Sequence, residues 1–316
     1  MNDSALLALP VDPQAVMDRH AKSFSWAARL LSAEARRDAA LLYAYARAAD
    51  DFADEIQLGS LEQRSLALQD MRRGALSAEA GSGAGAEEGL AVQTGVMLRN
   101  HGIPASVLEN FMDSLQADTN ARHLESTEDL LHFAYGVAGT IGQMMRPLLG
   151  AAPAADSHAI ALGIAMQLTN IARDVVEDAQ RQRCYIPAQW GVTLRLMATP
   201  SNTTEKSIAF AAIQRLLALS DDFYAYAQSG FGAIPSHNRS AIRAAAALYQ
   251  GIGKKILERG IDHYWSGRVY LSRLEKMKTV ARVLFSDSRP AGFSVRDVWS
   301  DDLSHLVGVH GFPTAH

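Results

Sequence analysis

Cysteine is nearly absent from this chain, which has 316 residues and a single cysteine, Cys184. One cysteine cannot form a disulfide within the chain, so a reducing compartment is expected. The first residues, MNDSALLALPVDP, carry Asp3 and Asp12 and lack the basic segment and long apolar run of a secretory signal. We therefore expect a cytoplasmic location.

Long apolar runs and excess basic charge are also missing. No stretch of about 18 uncharged apolar residues occurs, so no membrane span is expected. The formal net charge is −4, which argues against a nucleic-acid partner. The ten histidines are scattered without the spacing of a zinc site. Nothing in the pattern indicates an oligomeric state.

Helical signals run through most of the chain, whereas the period-2 alternation of strands is scarce. Several residues suit helix starts: Asp12 before Pro13, Ser32, Ser60 with Gln63, and Ser126 with Asp129. Residues 77–89 and 198–204 are predicted loops, but neither separates two halves of different composition. The sequence predicts one all-α domain over residues 1–290 and an irregular C-terminal tail over 291–316.

Three oxygen-bearing side chains stand four residues apart in the segment AMQLTNIARDVVED: Asn170, Asp174 and Asp178. On an α-helix this spacing places them on one face, about 6 Å apart along the axis. Such a stripe either faces water or holds a cation.

A second acidic segment, RAADDFADE, repeats the spacing with Asp50 and Asp54, next to Asp51 and Glu55. Like charges at this spacing destabilise a helix, so either solvation or a bound cation has to compensate. Both acidic segments follow apolar helical runs, and each has a nearby arginine, Arg47 or Arg173. Carboxylates with arginines suit a polyanion bridged by Mg²⁺, because Mg²⁺ binds oxygen ligands and arginine forks bind phosphate oxygens.

Together with five further segments, DDFAD and NIARDVVED resemble the motifs of the squalene/phytoene synthase family of head-to-head prenyl transferases. Those further segments are HAKSFSWAARLL, AYGVAGTIGQMM, QLTNIARDVVEDAQRQRCYIP, YQGIGKKI and GRVYLSRLEKM. The third of these is the most specific and is close to the phytoene synthase form. Two positions depart from the family pattern: Ser114 and Gln182 stand where glycine is common.

The resemblance implies an all-α, isoprenoid synthase-type helical bundle around a central cavity. It implies Mg²⁺-dependent condensation of two geranylgeranyl diphosphates, through a cyclopropyl (prephytoene) diphosphate, to phytoene in carotenoid biosynthesis. Mn²⁺ could substitute for Mg²⁺, and no NADPH is expected for this product. Because the prenyl diphosphate substrate and the product are greasy, transient contact with a membrane surface is expected.

The same resemblance implies roles for individual residues. The implied metal ligands are Asp50, Asp54, Asn170, Asp174 and Asp178, and the four aspartates are also implied to be catalytic, with Tyr43 and Tyr135. Implied substrate-binding residues are Lys22, Ser23, Phe24, Ser25, Ala28, Arg47, Gln167, Asn170, Arg173, Arg183, Tyr185, Tyr249 and Arg268. We also expect Ala28, one helical turn beyond Phe24, to leave the pocket deep enough for a C20 chain.

Other activities remain open at this point. Squalene, presqualene diphosphate or dehydrosqualene synthesis from farnesyl diphosphate would use similar motifs. A chain-elongating prenyltransferase or a terpenoid cyclase is disfavoured, because their second motifs differ from the Asn-x-x-x-Asp-x-x-x-Asp found here. A non-catalytic relative could have lost its acidic residues, and this chain retains them all.

Overall fold

The computed structural model describes residues 12–54, 58–77, 89–119 and 123–285. The predicted tail over 291–316 and most of the predicted loop over 77–89 lie outside these residues. The α-helices are α1 (Pro13–His20), α2 (Phe24–Ala28), α3 (Ala33–Asp54), α4 (Leu61–Ser77), α5 (Leu90–Asn100), α6 (Ala105–Ala117), α7 (Thr127–Ala134), α8 (Thr140–Leu148), α9 (Asp156–Gln180), α10 (Leu194–Ala198), α11 (Thr203–Ser229), α12 (Ser236–His263) and α13 (Arg273–Phe285).

The expected all-α fold is confirmed. No strand occurs in the described ranges, where extended pairing is limited to an isolated bridge between His123 and Cys184. One turn of π-helix, Tyr135–Gly139, joins α7 to α8. Short 3₁₀ turns lie at Pro153–Ala155, Ala188–Trp190, Phe231–Ala233 and Tyr264–Ser266.

Side-chain caps fix several helix starts where the sequence predicted them. Ser60 and Gln63 form a reciprocal capping box. The backbone N–H of Gln63 donates to Ser60 Oγ at 3.2 Å, and the backbone N–H of Ser60 donates to Gln63 Oε1 at 2.8 Å. Ser126 and Asp129 do the same for α7. Such caps satisfy backbone N–H groups that a helix leaves without partners. The predicted loop at 198–204 is shorter than expected, because Asn202 caps a helix that already begins at Thr203.

Helix α9 is the centre of the bundle. It packs against α11 over much of its length and also against α8, α12 and the π turn. A larger apolar cluster surrounds its buried face, and a second cluster joins α3 to α6; Val137 and Met145 pack against both. The segment Pro153–Gln180 is long and apolar enough to cross a membrane, but half of its most apolar window is buried by this packing, as in a core helix.

Glycines allow the helices around α9 to approach closely. A Cβ added at Gly142 would stand 2.1 Å from the carbonyl oxygen of Ala159, and one at Gly163 would stand 2.1 Å from that of Ala138. Neither distance is sterically possible, so larger residues would push α8 and the π turn away from α9. The small residues of the AYGVAGTIGQMM segment therefore have a packing role.

Gln182 stands directly after α9 in the left-handed backbone region, with φ of 60°. It is the non-glycine residue with positive φ among those described. The family pattern commonly has glycine here, and glycine adopts this conformation without steric cost. This turn reverses the chain so that Arg181 and Arg183 can both reach Asp54.

We predict that Gln182→Gly raises the free energy of unfolding by about 1 kcal/mol, because a left-handed backbone costs an L-residue about that much. Chemical denaturation measures the difference. Gln180→Gly is the matched control, since Gln180 ends α9 with ordinary geometry, and it should lose roughly 0.5–1 kcal/mol. Equal losses in both variants would contradict the strain at Gln182.

Candidate active site

A cavity of about 1350 Å³ lies between the helices that carry the two acidic segments. Ligand pockets usually measure about 300–1,000 Å³, so this one is large enough for more than one small ligand. Helix α9 lines it along most of its length, because residues on one face of the helix reach the cavity, among them Ala159, Leu162, Gly163, Met166, Gln167, Asn170, Asp174 and Asp178. Helix α3 contributes Tyr43, Arg47, Asp50 and Asp54.

Most of the predicted site residues lie on the wall of this cavity. They are Lys22, Ser23, Phe24, Ser25, Tyr43, Arg47, Asp50, Asp54, Gln167, Asn170, Arg173, Asp174, Asp178, Tyr185, Tyr249 and Arg268. Both acidic helices thus face one space, as the family resemblance implied. Three predicted residues do not line it: Ala28, Tyr135 and Arg183.

The prediction that Ala28 opens the pocket is wrong for this structure. Helix α2 packs against α12, and Ala28 is buried in the apolar cluster that this contact shares. The residues of α2 that line the cavity are Phe24, Ser25 and Trp26, at the start of the helix. The depth of the cavity therefore depends on other residues.

Tyr135 also lies off the wall, at the first position of the π turn. Its ring stands against Gly139, where an added Cβ would be 3.0 Å from Tyr135 Cδ2. The next residues of the turn, Val137 and Ala138, line the cavity instead.

Arg183 is buried behind the wall and is held by protein groups. Its Nη1 donates to Asp54 Oδ1, and its Nη2 donates to the carbonyl oxygens of Ala53 (3.2 Å) and Asp118 (2.9 Å). These contacts leave little of the guanidinium for a substrate. Arg183 instead positions Asp54, a carboxylate that Arg181 also approaches at 3.4 Å.

Asp174 receives two forked arginines. Arg173 donates from Nε and Nη2 at 2.7 and 2.5 Å, and Arg268 donates from Nε and Nη2 at 2.8 and 2.9 Å. Paired N–H donors of this kind match carboxylate and phosphate geometry equally well. A diphosphate arriving here could therefore take over donors that Asp174 holds in the free protein.

Asp50 lies in a less compensated position. Arg47 Nη1 is 3.4 Å from Asp50 Oδ2, while Arg47 Nη2 donates to Asp51. Burial, followed by the charge of Asp54, raises the pKa of Asp50 to about 7. Burial and then the charges of Asp174 and Asp54 raise the pKa of Asp178 to about 8. The charge of Asp54 on α3 therefore acts on Asp178 of α9 across the cavity.

These residues fit a divalent cation. The Oδ1 atom of Asn170 is buried and accepts no hydrogen bond from the described residues, although buried polar atoms are normally satisfied. Asp50 and Asp178 carry charge that a cation would stabilise, and all the donors are the oxygens that Mg²⁺ prefers. In the described ranges no three Asp, Glu, His or Cys side chains are already grouped closely enough to hold a metal, because arginines hold Asp54 and Asp174.

A basic group lies elsewhere on the wall. It contains Lys22, Arg29, Arg273 and the buried Lys276, whose Nζ donates to the Lys22 carbonyl oxygen at 3.0 Å. Burial and then Lys22 lower the pKa of the Lys276 ammonium. Ser25 faces away from this group, since its Oγ donates to Asp18 Oδ1 at 2.5 Å.

Sequence reasoning missed two buried charged residues of this region, Asp118 and Lys276. The Asp118 Oδ2 atom accepts the Tyr185 hydroxyl at 2.7 Å, and the Tyr185 ring stacks on Phe133 with centroids 4.5 Å apart. Lys276 falls in the segment GRVYLSRLEKM, and Asp118 lies four residues after Ser114, a position that departs from the family pattern. A single charged residue that has no acidic residue at helical spacing forms no sequence pattern from which a site could be predicted.

Comparison with known proteins identifies the architecture. Residues 17–275 match the family model described as squalene/phytoene synthase. The chain belongs to the squalene/phytoene synthase family. Within this family, the 15-cis-phytoene synthase of Enterobacter agglomerans is 32% identical over 275 residues, which cover 83% of this chain and 90% of the relative. That of a Paracoccus species is 33% identical over 249 residues, covering 77% and 80%.

Solved structures share the fold. A dehydrosqualene synthase in complex with a ligand superposes with a TM-score of 0.69 and 24% identity, covering 86% of this chain and 94% of that one. A squalene synthase from Alicyclobacillus acidocaldarius superposes with a TM-score of 0.60 and 18% identity, covering 78% of this chain and 94% of that one. This family member therefore has the isoprenoid synthase fold and is a phytoene synthase-like prenyltransferase.

We predict that Asp178→Asn raises the melting temperature at pH 8 in metal-free buffer by at least about 2 °C. A carboxyl whose pKa is raised on folding loses stability as pH rises from its unfolded value near 4 towards its folded value, here about 8. The gain should therefore shrink at pH 5. Scanning calorimetry measures the change in melting temperature. The control is Glu258→Gln, at an exposed position, which should leave the melting temperature unchanged at both pH values. A variant less stable than the wild type at pH 8 would contradict the repulsion.

Proposed function

We propose that this protein condenses two geranylgeranyl diphosphates head to head, through a cyclopropylcarbinyl diphosphate, to give phytoene, with Mg²⁺ as cofactor. The observation that carries the proposal is the placement of two acidic helices, each with its arginines, on one large and otherwise mainly apolar cavity. Phytoene synthase relatives at 32–33% identity support the product.

Departure of the first diphosphate is the step that needs the charged end of the cavity. Asp50, Asp54, Asp174 and Asp178, with Asn170 Oδ1, would hold Mg²⁺, which neutralises negative charge as it develops on the leaving diphosphate. Arg173 and Arg268 then bind diphosphate oxygens with the forks that they present to Asp174. Arg183 keeps Asp54 in place from behind the wall.

Survival of the allylic cation needs the apolar part of the wall. Tyr43, Phe133, Tyr249 and Phe231 line the cavity with aromatic rings, whose faces attract a cation. Aliphatic residues of α9 exclude water that would otherwise capture it. The cation accepts electrons from the double bond of the second substrate, and loss of a proton closes the cyclopropane.

The second substrate needs a second anion site. The basic group of Lys22, Arg29, Arg273 and Lys276 supplies it on the same cavity. Ionisation of the cyclopropylcarbinyl diphosphate releases the second diphosphate, and rearrangement followed by proton loss gives the 1-1′ linked hydrocarbon. No reductant is needed for this ending, whereas squalene formation requires hydride.

The length of α9 supports a C20 chain. Ala159 lies fifteen residues before Asp174, which is about 22 Å along a helix axis. Each isoprene unit places four carbon–carbon bonds in a zigzag that advances about 5 Å, so a C20 chain extends roughly 20 Å and a C15 chain roughly 15 Å. A C20 chain whose diphosphate lies at Asp174 therefore ends close to Ala159, whereas a C15 chain ends about one isoprene unit short of it.

We predict that the purified protein converts geranylgeranyl diphosphate to phytoene with Mg²⁺ and makes no product when EDTA replaces the metal. Asp50→Ala and Asp174→Ala should lower kcat at least about 10³-fold while far-UV circular dichroism stays unchanged. Mass spectrometry identifies the product. A C30 hydrocarbon from farnesyl diphosphate, formed in preference to phytoene, would overturn the proposal in favour of dehydrosqualene or squalene synthesis.

We further predict that Ala159→Phe lowers kcat/KM for geranylgeranyl diphosphate at least about tenfold relative to farnesyl diphosphate, because the ring takes the space of the last isoprene unit. The matched control is Ala154→Phe, an exposed position off the cavity wall, which should leave the C20 to C15 ratio unchanged. A ratio that does not move in Ala159→Phe would show that α9 does not set chain length.

A further inference from the structure

Helix α13 presents an apolar face to the outside of the bundle. Leu274, Met277, Ala281, Leu284 and Phe285 recur at helical spacing and are all exposed; these five residues are named the outer stripe. Leu274 is 57% exposed, Met277 51% and Phe285 88%. Single exposed apolar residues are ordinary, but a continuous row of them on one helix marks an interaction surface.

The opposite face of α13 already has its partner. Val280 and Val283 pack against the main apolar cluster. Lys276 is buried and lines the cavity. The only acid of the helix, Glu275, is paired with Lys255 of α12 at 2.7 Å. The outer stripe is thus a second apolar face, beyond the one that attaches α13 to the bundle.

Basic residues border the outer stripe on both sides. At 100° per residue, Arg273 lies at one edge of the stripe, and Lys278 and Arg282 lie at the other. All three are exposed, and no ion pair with a described residue accompanies their side chains. An apolar row between cationic borders is the pattern of helices that lie in the interface of an anionic bilayer.

The stripe begins at the mouth of the cavity. Tyr270, Ser272 and Arg273, which lead into α13, all line the cavity, and Tyr270 is 73% exposed. A molecule that leaves the cavity past these residues therefore meets the outer stripe next. A prenyl chain transferred directly into lipid avoids the unfavourable exposure of its methylene groups to water.

We propose that the outer stripe of α13 docks the protein on an anionic lipid bilayer, with the cavity mouth facing the membrane. The proposal rests on the proposed function, because a hydrocarbon product insoluble in water needs an apolar route out of the cavity. Charge decides the occupant: the three bordering cations match acidic headgroups, whereas a second copy of this chain would bring its own cations against them.

Vesicle co-sedimentation tests the surface on the full chain. The wild type should bind vesicles of phosphatidylglycerol and phosphatidylcholine and bind pure phosphatidylcholine at least about tenfold more weakly. A triple variant, Leu274→Ser with Met277→Ser and Leu284→Ser, should lose at least about tenfold in binding to the mixed vesicles. Lys278→Glu with Arg282→Glu should lose as much.

The matched control changes three similarly exposed apolar residues elsewhere, with Leu61→Ser, Leu66→Ser and Ile208→Ser, and should bind vesicles as the wild type does. Thermal unfolding checks that every variant is folded. A wild type that does not sediment, or a stripe variant that binds fully, would overturn the proposal. Light scattering that shows a dimer in the wild type and a monomer in the stripe variant would assign the stripe to a second copy and overturn it too.

An assay with detergent-dispersed substrate separates this proposal from the proposed function. The stripe variant should keep its turnover there within about twofold, because its three positions do not line the cavity, while losing turnover on vesicle-embedded substrate. Vesicle binding without any condensation product in the wild type would overturn the proposed function and leave the docking surface standing.

Discussion

Repulsion between carboxylates that line one cavity is the constraint on which the rest of this structure depends. Asp50 and Asp178 lie on different helices that face one cavity, and burial with neighbouring acids raises the pKa of each. Arginines relieve part of the repulsion by holding Asp54 and Asp174. In the proposed function, the remainder destabilises the free protein and is relieved when a cation and a diphosphate bind.

The central position of α9 is related to the same cavity, because this helix carries carboxylates at one end and apolar lining residues along the rest. A helix that carries carboxylates at one end and lines an apolar channel along the rest needs small neighbours, so that other helices can pack closely beside the channel. Gly142 and Gly163 meet this need, since neither position has space for a Cβ. In the proposed function, this one helix therefore carries ligands for the charged end of the substrate and also sets the length of chain that the cavity admits.

Helix starts and the acidic face of each of the two helices could be predicted from the sequence, because each depends on spacing within a single helix. The meeting of the two faces at one cavity was implied by the family resemblance and not by spacing. The wrong placement of Ala28 shows the limit: spacing puts it on the face of Phe24, but the contact of α2 with α12 buries it. Arg183 is similar, since the turn at Gln182 directs it behind the wall towards Asp54. Which neighbour a side chain meets depends on tertiary packing, which no local pattern contains.

The most direct test of the coupling between the two acidic helices is a double-mutant cycle on ligand-induced stability. Scanning calorimetry would follow the gain in melting temperature from Mg²⁺ with inorganic pyrophosphate for the wild type, Asp50→Asn, Asp174→Asn and the double variant. If one metal–diphosphate unit bridges both helices, each single variant loses most of the gain and the double variant loses little more. Losses that simply add would mean that the two helices bind ligands independently, and would contradict the account.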